Sequence, residues 1–148
     1  MQPITSPSIY TTSSNLACVI YTSETKGNFK GVMIEHKGIV NLVITQSKVF
    51  GLYDLKEVKN CLFYANYVFD SHVSEIFTSI FNGHKLHISN NIRLLSRYIE
   101  VNNINIATIP PILLNNQELL KLKILVVTGE KTSQEILDLL YLTLQSTY

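Results

Sequence analysis

The stretch LKILVVTGEKTSQEILDLLYLTLQ, residues 122–145, constrains the fold of this chain more than any other. Leu122, Ile124, Leu125, Val126 and Val127 make a short apolar run rich in β-branched residues, the pattern of a strand buried on both faces. Thr128-Gly129 stops it, because glycine tolerates backbone angles that β-branched residues do not. Thr132 stands three residues before Glu135, the spacing of a capping box. In that arrangement the hydroxyl accepts the Glu135 N–H and the carboxylate reaches back to the Thr132 N–H. Ile136, Leu137, Leu140 and Leu144 then recur on one helical face, with Leu139 widening the stripe. Strand, turn and capped amphipathic helix must bury one face against a sheet. None of these residues carries chemistry.

The 148 residues suit one domain, and a domain of that size buries roughly 68–70% of its unfolded surface without help from metals or disulfides. Charged residues are only 16% of the chain, against about 25% in an ordinary soluble protein, which points to surface hidden against a partner. Twelve basic and eleven acidic residues are scattered singly. No basic stripe marks a nucleic-acid partner, and no apolar run approaches the ~20 residues of a membrane span. The start, MQPITSPSIYTTSSN, lacks the basic-then-apolar pattern of a secretory signal. Cys18 and Cys61 each lie in an apolar run, as buried thiols of a reducing compartment do, so cytosol or nucleus is expected.

Read in order, residues 1–14 form a flexible lead-in and 15–148 a single domain. Leu16–Thr22 and Phe29–Glu35 read as strands. In IVNLVITQSKVFGLYDL, Val40, Leu42 and Ile44 alternate with Ile39, Asn41 and Val43. Thr45–Lys48 then reads as a tight link to a returning strand, Val49–Tyr53, and so short a connection implies an antiparallel hairpin. Cys61–Phe69 (CLFYANYVF) alternates as a long aromatic strand, and Ser74–Phe81, whose pattern suits either helix or strand, reads as a further strand. Asn82-Gly83 is a turn. Ser89 is a candidate N-cap for a helix over residues 90–101, which Asn102-Asn103 ends. Ile104, Ile106 and Ile109 resume a strand that Pro110-Pro111 closes. The expected class is α+β: a largely antiparallel sheet or sandwich of six or seven strands packed with two amphipathic helices.

Candidate chemistry is sparse. His84 and His87 have H-x-x-H spacing, but no third ligand type lies near and a zinc site needs three or four. A Cys61/His72 nucleophile pair would need an activated thiol, whereas burial in a strand makes Cys61 inert. Gly129–Thr132 follows a strand and precedes a helix but lacks the upstream glycines of a phosphate loop, so it reads as a turn with a cap. Neither a cofactor nor a metal is expected, and no catalytic residue. Tyr64, Tyr67 and Phe69, the densest aromatic cluster, are expected at a protein interface, since aromatics concentrate there.

VMIEHKGIVNLVITQSKVFGLYDL (residues 32–55), IFNGHKLHISNNIRLLSRYIEV (80–101) and the C-terminal stretch together resemble the proteasome-assembly chaperones of the third and fourth kind. That resemblance implies a non-enzymatic factor that pairs with a related sister chaperone. The heterodimer would bind an α-type subunit of the 20S core particle, promote α-ring assembly, and leave as β-subunits arrive. Two rivals stand beside it. One is a dimerising β-sheet module in a trafficking or GTPase-regulating scaffold; the other is a small cysteine hydrolase built on Cys61.

Overall fold

The computed structural model describes residues 9–23, 29–54, 57, 59–89, 95–114 and 122–138. The chain divides into two compact units, residues 1–42 and 43–148. In the first, β1 (Leu16–Ser23) pairs antiparallel with β2 (Phe29–Glu35), with Val19 opposite Met33 and Tyr21 opposite Gly31. The sequence places both strands correctly, and the Asn15 carbonyl, accepting the His36 N–H at 3.0 Å, fixes the exit from β2.

The segment that follows is helical. Residues His36–Val49 form α1, where two strands and a hairpin are expected. Ile39, Val43 and Ser47 are buried, four residues apart, whereas Val40 and Ile44 are exposed. Period 3.6 therefore wins over the period of two that Val40, Leu42 and Ile44 suggest. Gly51, at φ +63°, breaks the chain after the helix.

The second unit is built on a parallel sheet. Among the described residues it holds β3 (Asn60–Phe63), β4 (Lys85–Ile88), β5 (Ile106–Ile109) and β6 (Ile124–Val127), side by side in the order β4-β3-β5-β6. All three pairings are parallel. Parallel neighbours need crossovers, and helices supply them: α2 (Ser71–Phe81) links β3 to β4, and α3 (Leu95–Val101) lies between β4 and β5. The class is thus α/β, not a predominantly antiparallel α+β sandwich.

Two misread segments account for that correction. Ser74–Phe81, expected as a strand, is most of α2, with Val73, Thr78 and Ser79 buried. Cys61–Phe69 is a strand only as far as Phe63; residues beyond it turn, and the Phe69 N–H bonds the Asn66 carbonyl at 3.0 Å. The Asn82-Gly83 turn stands where the sequence puts it. It is a Schellman motif in which Gly83 (φ +69°) and His84 donate to the carbonyls of Ile80 and Ser79.

Alternation along the short strands sends Leu62, Ala107 and Ile109 to one face of the sheet. There they form the core with Ile99, Ile104 and Leu114, and Leu125, Val127 and Ile136 pack against it. The opposite face, carrying Cys61, Ile106, Thr108 and Val126, meets α2 across a cavity of about 30 Å³. At the end where the strands begin, Asn60 ties neighbours together. Its Nδ2 donates to the carbonyls of Asn102 and Asn103, its N–H to Asn105 Oδ1, and its Oδ1 lies 3.1 Å from His87 Nε2. Helix resumes at residues 134–138, capped by Ser133 Oγ, which accepts the Ile136 N–H at 3.4 Å. The cap is therefore one residue beyond the expected Thr132. The expected remainder of that helix, residues 139–145, and the Ser89 cap over residues 90–94 fall outside the described residues.

Candidate functional site

The strand order itself nominates a place for ligands. The chain leaves β3 toward β4 on one side and returns to β5 on the other, so a crevice opens between β3 and β5 at their carboxyl ends. A cavity of about 940 Å³ lies there, in the range of small-molecule sites. Its walls come from the ends of all four strands: Phe63 and Tyr64 from β3, Ile88 and Ser89 from β4, Thr108 and Pro110 from β5, and Thr128–Glu130 after β6. The turn between β3 and α2 supplies Tyr67, Phe69 and Asp70.

Glu75 shapes this wall. It is 6% exposed, and its Oε2 accepts the backbone N–H groups of Tyr64 and Ala65, each at 2.9 Å. Those bonds pin the chain where it leaves the sheet. Burial raises the Glu75 pKa above the ordinary carboxyl value; the Ala65 and Tyr64 N–H groups and the nearby His72 pull it back only in part. The Tyr64 phenol is raised in turn, first by burial and then by the Glu75 charge.

Asp70 plays a different part. It occupies the N-cap position of α2, where an aspartate side chain ordinarily accepts a backbone N–H of the first turn. Here it makes no such bond, and its carboxylate is exposed at the cavity rim. An anionic acceptor without a capping duty, beside aromatic walls, suits a ligand that is part cation and part apolar surface.

Of the residues singled out from sequence, Tyr64, Tyr67 and Phe69 are brought together on this cavity. Tyr64 is half-buried, and Tyr67 and Phe69 are exposed in the turn. Cys61 and His72 are not assembled into a nucleophile pair. Cys61 is buried, with its thiol pushed up by burial against a weaker opposing bond from Ser79. His72 opens α2 with Nδ1 at the Phe69 carbonyl. His84 has its pKa lowered by burial and then by the Lys59 charge, and His87 faces Asn60. Among the described residues no three metal-ligating side chains cluster, and no helix is long and apolar enough to cross a membrane.

Sequence reasoning missed Asp70 and the Thr128–Glu130 turn as site residues. Asp followed by an amphipathic segment is a helix-start signal, and it was obscured because Ser74–Phe81 looked like a strand. From sequence the Gly129 turn is a stop and cap alone, but it follows a parallel strand, where ligands gather.

With this geometry in view, comparison with known proteins is decisive. Residues 4–143 match the family described as AMP-binding enzyme. The N-(5-amino-5-carboxypentanoyl)-L-cysteinyl-D-valine synthase of Penicillium rubens is 38% identical over 125 residues, 81% of this chain and 3% of the synthase. Gramicidin S synthase 1 of Brevibacillus brevis is 32% identical over 134 residues, 85% of this chain and 12% of that protein. The N-terminal subdomain of Klebsiella oxytoca NpsA, solved in complex with 3-hydroxybenzoyl-AMSN, superposes with a TM-score of 0.78 at 22% identity, over 94% of this chain and 37% of that one. The chain thus spans a small fraction of its curated relatives. These matches overturn the resemblance to proteasome-assembly chaperones. With it fall the non-enzymatic function, the sister chaperone and the proteasome α-subunit as partners; the scaffold alternative gains no support either. This chain belongs to the AMP-binding enzyme family.

Proposed function

We propose that the crevice between β3 and β5 takes part in adenylate formation on an amino acid. In that reaction a substrate carboxylate oxygen attacks the α-phosphorus of ATP. A mixed acyl-phosphate anhydride forms and pyrophosphate leaves with the bonding electron pair. Three observations support the reading: the family match over nearly the whole chain, the name of the Penicillium synthase, whose product joins amino-acid units, and the acyl-AMSN ligand of the NpsA subdomain.

The observation that carries it is the uncommitted carboxylate of Asp70 at the rim of a cavity of about 940 Å³. In this reading Asp70 accepts hydrogen bonds from the substrate ammonium. The aromatic faces of Tyr64, Tyr67 and Phe69 pack against the substrate side chain, so the cluster expected from sequence at a protein interface is assigned to ligand. The strand ends and the Thr128–Glu130 turn provide backbone groups for the rest of the adenylate.

Equilibrium binding of an aminoacyl-AMSN and of its des-amino acyl counterpart tests this assignment. Asp70→Asn should weaken the aminoacyl ligand about tenfold or more, the worth of a charge-assisted hydrogen bond, and leave the des-amino ligand nearly unchanged. Equal weakening of both, or no saturable binding of either, would reject it.

A further inference from the structure

Glu75 Oε1 and His84 Nε2 are buried without a hydrogen-bond partner, and both residues line the cavity of about 30 Å³ between α2 and the sheet. Glu75, on α2, is 6% exposed, and its other oxygen is taken up by the Tyr64 and Ala65 N–H groups. His84 stands just before β4, and its Nδ1 accepts the Lys59 N–H at 3.4 Å. A backbone N–H only donates, so Nδ1 holds the lone pair and the proton of the neutral ring is on Nε2. One cavity thus has an unmet acceptor on one residue and an unmet donor on another. Native folds rarely bury either in that condition.

The rest of the lining suits a small polar guest. Ser79 Oγ gives its proton to the Glu75 carbonyl at 2.6 Å and keeps lone pairs to accept with. Thr78 Oγ1 donates to Gln46 Oε1 in the same way. Leu62, Ile106 and Ala107 close the cavity with apolar surface. A buried water needs about 10–15 Å³ and two to four polar partners, and this cavity meets both conditions.

We propose that the cavity is a water site, in which a short water bridge carries a hydrogen bond from His84 Nε2–H to Glu75 Oε1, and that His84 is thereby a positioning residue for the crevice wall. Glu75 lines the crevice as well as this cavity, so a bond to its inner oxygen steadies the carboxylate that holds Tyr64 and Ala65. A second proton on His84 would set Nδ1–H against the Lys59 N–H. Burial and the Lys59 charge disfavour that form and keep the ring neutral, as the bridge requires. Lys59 itself is ion-paired to Glu57. The other titratable groups around the bridge are His72, whose charge acts on Glu75, the Tyr64 phenol and the Cys61 thiol. The bridge forms without a ligand, so it goes beyond the proposed function and does not rest on it.

The test is NMR on the full, ligand-free 148-residue chain. Nitrogen shifts of His84 should show the Nε2–H tautomer, and water should give nuclear Overhauser cross-peaks to the Ile106 and Ala107 methyl protons. A water that donates to Glu75 Oε1 favours its anion. In His84→Phe the cross-peaks should therefore vanish and the Glu75 carboxyl titration should move to higher pH. His84→Gln offers an acceptor to Lys59 and a donor to the cavity, and should return the titration toward that of the unsubstituted chain. An Nδ1–H tautomer, absence of the cross-peaks, or a Glu75 titration identical in all three chains would overturn the proposal. The first two readouts need no substitution, so they decide the matter even where His84→Phe fails to fold. No adenylate is present, so failure here is distinct from failure of the functional reading.

Discussion

Glu75 Oε2 accepts the Tyr64 N–H at 2.9 Å, so a carboxylate on α2 holds the first residue beyond β3. The same oxygen accepts the Ala65 N–H, and together the two bonds fix the wall of the crevice. Glu75→Ala leaves two backbone donors without their acceptor. The expected loss is about 1–3 kcal/mol, read as a lower denaturation midpoint with unchanged slope in urea. Glu75→Gln keeps an acceptor oxygen and should cost less. Equal losses for the two would show that the bonds to Tyr64 and Ala65 contribute little.

The pH dependence of stability has a definite sign at this residue. Burial holds the Glu75 carboxyl above its usual value of 4.5, so the folded state binds that proton more tightly than the unfolded chain. Its contribution is complete below the unfolded pKa and is lost as pH rises through the raised one. The melting temperature of the unsubstituted chain, less that of Glu75→Gln, should therefore fall as pH rises from the acid into the neutral range. Calorimetry across that range checks it, and a difference that rises with pH would contradict it.

Gln46 links α1 to α2 through one oxygen, which accepts both Ser74 Oγ and Thr78 Oγ1 at 2.8 Å. Gln46→Ala strands the buried Thr78 hydroxyl, at an expected cost of about 1–2 kcal/mol. In a Thr78→Val background the same change should cost less. A double-mutant cycle measures that coupling, and a value near zero would mean the hydrogen bond is energetically idle.

The thiols should differ in reactivity. Cys61 is buried with its pKa raised, while Cys18 is half-buried. Thiolate is the reacting species, so a mild alkylating reagent at neutral pH should label Cys18 well before Cys61 in the folded chain. Peptide mass mapping reads the order directly. Prompt labelling of Cys61 would reopen a role for its thiol.

What the sequence revealed of this fold depended on whether local pattern and burial agreed. Strands β1 and β2, the Asn82-Gly83 turn, the helix ending at Val101 and the strand closed by Pro110 were legible because breaker residues and hydrophobic period point the same way. The segment from Ile39 to Phe50 was not. Its Ile, Val and Thr residues favour strands by propensity, yet Ile39, Val43 and Ser47 share a buried helical face. In α2 Phe77, Ile80 and Phe81 are exposed while Glu75, Thr78 and Ser79 are buried beside Val73, so the apolar residues alone do not mark the buried face. Misreading α2 as a strand removed the crossover between β3 and β4, and misreading α1 as a hairpin added antiparallel strands, so an antiparallel class followed. The aromatic cluster at Tyr64, Tyr67 and Phe69 was visible as a feature, but its position at the carboxyl end of β3 emerges only from the strand order.

In the proposed function the carboxyl ends of β3 and β5 receive an acyl-adenylate. The most direct measurement is a two-dimensional NMR titration of the labelled chain with an aminoacyl-AMSN. Saturable shifts are expected at residues 64–70, 88–89, 108–110 and 128–130, along the border of the cavity, with Asn60 and Asn105 at the other end of the sheet unmoved. Shifts centred on Asn60 and Asn105, or none at millimolar ligand, would contradict it.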